Sequence, residues 1–504
     1  MNFLADKNVL VLGLGASGLA LARWCVRFGA LVTVADTRSV PPQLEALCDK
    51  VPAATFVASK MDAALLASQP FDMVLKSPGL SPASVAGVVE AAQARGLAIG
   101  NELSLFAHAL ADLKVANGYA PQVIGITGTN GKTTVTSLTG LLVQRAGKSV
   151  AVAGNIGPTL LDTLLDKLDV EVHGDPLPDV WVLELSSFQL DGVTNFEPTV
   201  ATVLNITQDH LDWHETLAAY SAAKSNVYGR FGVMLLNRDD ARVLQATPAL
   251  VKGKPTRPYV TFGVDEPKRP GDYGIETVND MAWLARAAEA DDTIKRRKDE
   301  ELVVHVQRLM PVDALRICGR HNASNALAAL GLAAAAGCSI GPMLHGLRDY
   351  RGEPHRVELV AVVDDVEYFD DSKGTNVGAT VAALAGLGAD RKLVVILGGE
   401  GKGQDFSPLT EPVMRHARAV VLIGRDAALI RAAVHGADLP VLDASTMHHA
   451  VELAAQQART GDAVLMSPAC ASFDMFRDYQ HRAEVFCDAV RQLAERDSNP
   501  QRVA

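Results

Sequence analysis

The sequence has few cysteines and lacks a C-x-x-C pair. Six cysteines are scattered over 504 residues, at positions 25, 48, 318, 338, 470 and 487. This pattern is typical of free thiols in a reducing compartment, and it excludes a small disulfide-stapled scaffold. No segment approaches the run of about 20 uncharged apolar residues that spans a membrane, and the apolar stretch 9–22 is interrupted by glycines and lacks a strongly basic leader. We therefore predict a cytoplasmic protein that does not insert into membranes.

An excess of positive charge is also absent. Lys plus Arg amounts to 47 residues and Asp plus Glu to 58, which gives a formal net charge of −11. That balance argues against broad electrostatic binding of nucleic acid or anionic lipid, although it leaves room for a local basic pocket that binds phosphate. With 48% hydrophobic and 21% charged residues, the chain has the composition of a folded protein. At about 150 residues per domain it is long enough for about three domains.

Strand-like and helix-like patterns alternate along the chain, which predicts an α/β fold with parallel sheets. The apolar runs that we expect to be buried strands are residues 8–12, 31–35, 123–126, 181–185, 201–206, 393–397 and 419–423. A polar, glycine-containing stretch at 112–122 predicts a linker between the first two blocks. Residues 265–301 shift to proline, glycine and charge and end in IKRRKDEE. They predict a solvated insertion, with a partner-docking segment as the alternative.

The strongest local signal is GITGTNGKTT at 125–134, between a predicted strand and a predicted helix. Glycines let backbone N–H groups turn toward phosphate oxygens, Lys132 neutralises β- and γ-phosphate charge, and Thr133 can ligate Mg²⁺. The segment therefore predicts a loop that binds a nucleoside triphosphate. It departs from the usual spacing because Ile126 occupies the place of the first glycine, which stands one residue earlier at Gly125. A glycine turn without nucleotide is the alternative.

A second glycine segment, GLGASG at 13–18, is followed by Asp36 at the end of the next predicted strand. This matches a dinucleotide-binding fingerprint and, taken alone, predicts NAD or FAD. The same geometry binds any diphosphate at a helix N-terminus, so the segment does not identify the ligand.

Carboxylates and histidines follow two further strands. Glu184, in VLELSSFQ, stands at a strand end where it could hold Mg²⁺, and NITQDHLDWH at 205–214 clusters two aspartates with His210 and His214. Mg²⁺ prefers oxygen ligands, so the histidines alone would favour Zn²⁺; for His214 we favour a hydrogen-bonded structural role. Lys224, in YSAAKSN, is either a solvated helical lysine or, beside a two-metal site, a carbamylated lysine that supplies anionic oxygens.

Taken together, these segments resemble the Mur ligase family of ATP-dependent amide-bond-forming enzymes, and within it the members that add D-glutamate. The similarity extends over essentially the whole chain and includes DTR at 36–38, SPG at 77–79, GNIG at 154–157, GRHN at 319–322, PHR at 354–356, DDSKGTN at 370–376, GGEGKGQDF at 398–406 and SPACASFDMF at 467–476. Folylpolyglutamate synthetases share the ATP loop alone. The resemblance implies a Rossmann-like domain for a UDP-linked substrate at 1–113, a P-loop ATPase domain with a parallel sheet at 114–350, and a Rossmann-like amino-acid-binding domain at 351–504.

The resemblance also implies roles for individual residues, carried over by motif. ATP would be bound by Gly128, Thr129, Asn130, Gly131, Lys132, Thr133, Thr134, Asn325, Arg356 and Asp371. UDP-N-acetylmuramoyl-L-alanine would be bound by Gly15, Ser17, Asp36, Thr37, Arg38, Ser77, Gly79, Asn155 and His210, and D-glutamate by Thr375, Lys402, Ser472 and Phe473. Thr133 and Glu184 would hold one Mg²⁺, and His210 and carbamylated Lys224 a second. The catalytic set would be Lys132, Lys224 and His210, with His210 a metal ligand rather than a base.

Two departures from the family pattern concern loops. The chain is longer than typical members around 170–179 and 265–307, and Ala483 stands where a glycine is common. The alternatives left open are a muramoyl or folyl ligase with another amino acid, a nicotinamide oxidoreductase built on residues 13–18, and a noncatalytic nucleotide-binding regulator. We expect a monomer that acts in peptidoglycan precursor synthesis and does not bind nucleic acid.

Overall fold

The computed structural model describes residues 2–172, 174–289, 304–389 and 391–497. Within them the chain forms three large sheets covered by helices, together with one small two-stranded sheet. The predicted α/β class is therefore confirmed. Each large sheet lies within one of the divisions 1–113, 114–350 and 351–504, which remain a proposal for where domains begin and end. The charged run at 294–301 lies outside the described residues.

The first sheet has five parallel strands in the order β3-β2-β1-β4-β5. Its central strand is NVLVL, whose last four residues are buried because helices cover both faces. The elements are β1 (Asn8–Leu12), α1 (Ala16–Arg27), β2 (Leu31–Asp36), α2 (Leu44–Lys50), β3 (Thr55–Ala58), β4 (Met73–Lys76), α3 (Pro82–Ala94), β5 (Ala98–Gly100) and α4 (Glu102–Asn117).

The predicted linker at 112–122 is wrong over its first half. Helix α4 continues to Asn117 and ends at Gly118, which adopts a left-handed conformation with φ 76°. Ala109 and Leu113, four residues apart, are both buried, so the helical period carries on into the polar stretch. The connection to the next strand is consequently short, and the proposed boundary at 113/114 falls inside a helix.

The central sheet has nine strands in the order β16-β15-β14-β13-β10-β9-β6-β8-β7. Its strands are β6 (Gln122–Thr127), β7 (Val150–Gly154), β8 (Val180–Glu184), β9 (Val200–Val203), β10 (Val233–Asn237), β13 (Tyr259–Phe262), β14 (Tyr273–Val278), β15 (Met281–Glu289) and β16 (Val304–Pro311), while β11 (Leu250–Val251) and β12 (Lys254–Pro255) form the small hairpin. The helices are α5 (Lys132–Arg145), α6 (Leu160–Glu171), α7 (Ser187–Leu190), α8 (Leu211–His214), α9 (Leu217–Ser225), α10 (Ala241–Leu244), α11 (Arg320–Ala335) and α12 (Ile340–Asp349).

The prediction that residues 265–301 form a solvated insertion is wrong for much of their described part. Strands β14 and β15 pair with each other and extend the central sheet, with antiparallel neighbours at this edge. Tyr273 and Leu284 are buried in the sheet's core. Charged and small residues stand beside these apolar ones in both strands, so the average composition of the segment concealed the strands.

The third sheet has six strands in the order β17-β18-β22-β19-β20-β21, parallel except for the β17–β18 hairpin. Its elements are β17 (Glu358–Val363), β18 (Val366–Asp370), α13 (Val377–Leu387), β19 (Leu393–Gly398), α14 (Thr410–His416), β20 (Ala417–Ile423), α15 (Ala427–Val434), β21 (Val441–Asp443), α16 (Met447–Gln457), β22 (Ala463–Met466) and α17 (Tyr479–Asp497). All six cysteines are unpaired thiols, as predicted. None of the helices in the described residues is long and apolar enough to cross a membrane.

Candidate nucleotide-dependent active site

The predicted triphosphate loop joins β6 to the N-terminus of α5. Gly128 and Gly131 have φ of 156° and 83°, conformations that favour glycine. The end of β9 fixes the loop's shape, because the Asn205 side chain accepts a hydrogen bond from the Asn130 backbone N–H at 2.9 Å. Gly125 lies inside β6, where an added Cβ would come within 3.0 Å of Val227. The phosphate loop therefore begins after Gly125, and that glycine serves packing of the strand.

Lys132 curls back over this loop. Its Nζ donates to the carbonyl oxygens of Gly128 at 2.9 Å and Thr129 at 2.8 Å. Burial lowers the pKa of Lys132, and the negative charges of Glu184 and Asp209 act in the opposite direction. The ammonium is thus held at the helix N-terminus, where phosphate oxygens bind in loops of this kind.

Glu184, at the end of β8, has one unpartnered oxygen. Its Oε1 accepts from Asn155 Nδ2 at 2.9 Å, whereas Oε2 is buried and has no hydrogen-bond partner among the described residues. The side chain is almost fully buried, with 1% of the residue exposed. Thr133 follows Lys132 and accepts a 2.6 Å hydrogen bond from Arg356 Nη2 at its Oγ1. A buried, unsatisfied carboxylate oxygen beside a phosphate loop fits a hard cation such as Mg²⁺.

His210 and Lys224 flank the loop on its other side. His210 has φ 53°, its ring packs against Phe188 at a centroid distance of 4.8 Å, and burial lowers its pKa. Lys224 is buried, with its Nζ donating to Gly128 O at 2.8 Å. Burial and the charge of Lys132 hold the pKa of Lys224 well below its ordinary value. The alternative of a solvated Lys224 is therefore wrong.

His214 takes no part in this cluster of potential ligands. The residue is 7% exposed, and its Nε2 lies 2.9 Å from Ser187 Oγ. Burial lowers its pKa to about 4, so the ring is neutral near pH 7. These contacts agree with the structural role predicted for it.

A cavity of about 330 Å³ lies between the central sheet's α11 and the C-terminal division. Asn325 and Asp371, which the family resemblance assigns to ATP, both line it, together with Gly131, Thr134 and Arg356. Asp371 accepts from Ser467 Oγ at 2.6 Å, and burial raises its pKa to about 7. The phosphate-loop residue Asn130 lines the same cavity, so this space adjoins the loop.

A second cavity of about 280 Å³ adjoins the first and gathers residues from two divisions. Its lining includes Thr129, Asn130, Gly131, Lys132, Thr133, Asn155, Glu184, Asp209, His210, Arg356, Lys373, Thr375, Asn376 and Lys402. Four of these, Asn130, Gly131, Arg356 and Lys373, line both cavities. The structure thus brings members of the predicted ATP, metal and amino-acid sets around one space, whereas Lys224, Ser472 and Phe473 are not part of its lining.

Lys373 and Asn376 line this space although sequence reasoning gave them no role. Lys373 lies over the ring of Tyr479, with Nζ 3.9 Å from its centroid, and burial lowers its pKa to about 8. Asn376 exchanges hydrogen bonds of 3.2 and 3.1 Å with the side chain of Asn130, so the C-terminal division touches the phosphate loop directly. Both residues belong to the DDSKGTN segment, and the match of this segment to the family pattern was the one sequence feature that could have indicated their place in the site.

The predicted amino-acid residues are only partly assembled. Thr375 and Lys402 line the second cavity, but Ser472 and Phe473 are not part of its lining. Ser472 is 2% exposed and Phe473 64% exposed, and Lys402 Nζ is 5.8 Å from the centroid of the Phe473 ring. Phe473 therefore stands at the surface beside Lys402.

The glycine fingerprint turns tightly between β1 and α1. An added Cβ at Gly18 would lie 2.0 Å from Gly13 O, so only glycine permits this close packing of helix on strand. Ser77 Oγ donates to the same carbonyl at 3.0 Å. Gly15 precedes the first residue of α1, and Thr37 is exposed just beyond β2. Ser17 is the second residue of α1, and Ser77 and Gly79 follow the carboxyl end of β4.

The Asp36 carboxylate is already engaged. It accepts from Leu14 N at 2.8 Å and from the Arg38 guanidinium at 2.9 and 2.8 Å. The Arg38 hydrogen bonds hold its pKa well below the usual range. A nicotinamide dinucleotide uses the acidic residue of this fingerprint for ribose hydroxyls. Because the Asp36 carboxylate is hydrogen-bonded to Arg38, the site offers a ligand a guanidinium rather than a free carboxylate. This difference disfavours the oxidoreductase interpretation.

Three family models match this chain in the same order as its three sheets. They are described as Mur ligase MurD-like, N-terminal domain, over residues 7–100; Mur ligase middle domain, over 126–333; and Mur ligase, glutamate ligase domain, over 355–470. The chain belongs to the Mur ligase family.

Individual proteins of known name are also similar to this chain over nearly its whole length. A protein of Albidiferax ferrireducens, named UDP-N-acetylmuramoylalanine--D-glutamate ligase, is 64% identical over 98% of each chain. A Polaromonas protein of the same name is 58% identical over 98% of this chain and 99% of its own. Among solved structures, the MurF ligase of Thermotoga maritima in complex with ADP matches with a TM-score of 0.57 at 16% identity, covering 98% of this chain and 96% of that one. That likeness concerns the fold.

Proposed function

We propose that this chain is an ATP-dependent ligase that joins D-glutamate to UDP-N-acetylmuramoyl-L-alanine during peptidoglycan precursor synthesis. The observation that carries the proposal is the second cavity, where Lys132 and Thr133 of the phosphate loop face Thr375 and Lys402 of the C-terminal division. A phosphorylated acyl group and an incoming amino acid can meet there. The names of the relatives at 64% and 58% identity give the substrates.

The reaction begins when the L-alanine carboxylate attacks the γ-phosphorus of ATP, which gives an acyl phosphate and releases ADP. Repulsion between these anions is the main obstacle, and Lys132 and Arg356 offset it by placing positive charge on the transferred group. The amine of D-glutamate then attacks the acyl carbon. The C–N bond forms, the amine loses a proton and phosphate leaves.

Thr133 and Glu184 would hold one Mg²⁺, and His210 and carbamylated Lys224 a second. Bound there, Mg²⁺ supplies charge that neutralises phosphate oxygens. The unpartnered Oε2 of Glu184 supports the first assignment. The lowered pKa of Lys224 supports the second, because a neutral amine is the form that adds carbon dioxide. With its imidazole on a metal, His210 would not also accept a proton.

The N-terminal division would hold the UDP-linked substrate. Its nucleotide end would lie at Gly15, Ser17, Asp36, Thr37, Arg38, Ser77 and Gly79, and its muramoyl end at Asn155 and His210. We further propose that the enzyme works in the cytoplasm, since the unpaired cysteines suit a reducing compartment, and that it acts as a monomer.

The amino-acid preference tests this function. With ATP and UDP-N-acetylmuramoyl-L-alanine present, we expect ADP release to depend on D-glutamate and not on L-alanine, L-lysine or meso-diaminopimelate. Lys402→Ala should raise the KM for D-glutamate severalfold, because Lys402 is exposed and an exposed ion pair contributes up to about 1 kcal/mol. The KM for ATP should change little.

Lys392→Ala is the matched control for this lysine. Its Nζ donates to Arg415 O at 2.9 Å, and the side chain is exposed, so the KM for D-glutamate should stay at the wild-type value. A wild-type preference for another amino acid, or a Lys402→Ala enzyme with unchanged use of D-glutamate, would reject the assignment.

The glycine fingerprint at 13–18 leads to a second prediction, which concerns the ligand that the N-terminal division binds. With the ATP site saturated by a nonhydrolysable analogue, calorimetry should detect binding of UDP-N-acetylmuramoyl-L-alanine and none of NAD. The reason is that the carboxylate of Asp36 is taken up by Leu14 and Arg38. Micromolar binding of NAD without binding of the UDP-linked substrate would restore the oxidoreductase interpretation.

A further inference from the structure

A buried carboxylate lies where the N-terminal and central divisions meet. Glu102 is the first residue of α4, the helix that runs between the first sheet and the second. Only 1% of the residue is exposed. No motif singled it out, and the reaction described above does not use it.

Glu102 contacts the beginnings of two other helices. Its Oε1 accepts from Leu161 N at 3.0 Å, at the second residue of α6. The hydroxyl of Ser17, at the second residue of α1, lowers the pKa of Glu102, although Oε2 has no partner with ordinary hydrogen-bond geometry among the described residues. Three helix N-termini thus converge on one carboxylate, and each favours negative charge.

The opposing effects on the charge come from burial and from Asp162. Burial, which is the larger effect, and the negative charge of Asp162 leave the pKa of Glu102 above its ordinary value. Asp162, on α6, forms an ion pair with Arg23 of α1. Further along the same two helices, Arg27 of α1 forms an ion pair with Asp169 of α6 at 3.4 Å. The contact between α1 and α6 is therefore continuous from Glu102 outward.

The two helices begin at different parts of the proposed substrate site. Helix α1 follows the glycine fingerprint, where the UDP end would bind. Helix α6 follows the loop 154–159, which carries Asn155, the residue placed at the muramoyl end and bonded to Glu184. The separation of these two loops has to match the length of a ligand that spans both.

We propose that Glu102 is a positioning residue that fixes the fingerprint loop relative to the 154–159 loop, so that one UDP-linked sugar can occupy both. This rests on the proposed function. Glu102 touches no reacting atom; it acts through Ser17 and Leu161. The ligand it favours is one that reaches from the first division into the second.

Kinetics of Glu102→Ala test the proposal. We expect the KM for UDP-N-acetylmuramoyl-L-alanine to rise about tenfold or more, since small displacements of a positioned substrate have effects of this size or larger. The KM values for ATP and D-glutamate should stay within about twofold. Glu102→Gln keeps an oxygen for Leu161 N and should recover most of the loss. Calorimetric binding of UDP alone, which reaches only the first loop, should be unchanged.

Leu113→Ala serves as the control for general loosening of α4. Leu113 is buried and lies about three turns along the same helix, so this variant should lose stability without a selective rise in one KM. Equal weakening of UDP and of the full substrate, a parallel rise in the KM for ATP, or wild-type kinetics in Glu102→Ala would each overturn the positioning role. Absence of ligase activity in the wild-type protein would instead reject the proposed function.

Discussion

Lys132→Ala is expected to lower turnover by about 10²-fold or more, the scale of losing one well-placed donor to a developing charge. Lys132 is the first residue of α5, and its ammonium rests on the loop carbonyls of Gly128 and Thr129. When a phosphoryl group is transferred, that charge has no substitute on the loop itself. Steady-state ADP release and thermal unfolding of the same preparation give the measurement.

Lys148→Ala is the matched control. Lys148 lies just beyond the other end of α5, and its Nζ also donates to a carbonyl, Ala336 O, at 3.1 Å. The Lys148→Ala variant loses the same side-chain atoms as Lys132→Ala and a similar hydrogen bond, but far from the phosphate loop. Its turnover should therefore stay close to that of the wild-type protein. Near-normal turnover in a folded Lys132→Ala protein would remove the phosphate-loop assignment.

Lys224→Ala should be nearly inactive, with turnover reduced by about 10²-fold or more. If the buried amine carries a carbamate, the variant loses the anionic oxygens that a hard cation requires. Acetate or formate should then restore part of the activity. In the wild-type protein, ¹³C-bicarbonate should give a carbamate resonance that disappears in the variant.

The control for Lys224 is Lys114→Ala. Both lysines stand in the last turn of a helix, but Lys114 is exposed, so its loss should leave turnover unchanged. Lys224→Arg separates the two chemical forms, because arginine keeps a positive charge and forms no carbamate. Activity in Lys224→Arg, or full activity of Lys224→Ala without added acid, would argue that the amine is not modified.

The sequence predicted the two glycine loops most accurately, because their backbone conformation and close packing require glycine. The glycines at 128 and 131 require positive φ, and Gly18 requires the absence of a Cβ. Both loops could therefore be located from residue type and spacing alone. The strand end that carries Glu184 followed from the buried apolar run before it, because parallel strands present their carboxyl ends at one edge of the sheet. Asp371 was assigned through the family resemblance alone.

What could not be predicted depends on contacts between distant segments. Leu113 continues α4 into a polar stretch because it is buried, and Tyr273 and Leu284 place a charged segment in the central sheet. The engagement of Asp36 by Arg38 depends on the conformation of the loop after β2. Such pairings have no local signature in composition or periodicity.

The wall shared by the two cavities has a consequence for inhibitor design. Arg356 and Lys373 line both spaces, so a compound that occupies the two together lies against two cationic side chains. The part of the compound that joins the two cavities should be short and should carry negative charge or hydrogen-bond acceptors. A neutral hydrocarbon there would displace water from both charged side chains and offer them no hydrogen bonds in return. A compound confined to one cavity would leave these two cationic side chains free to bind the natural substrates.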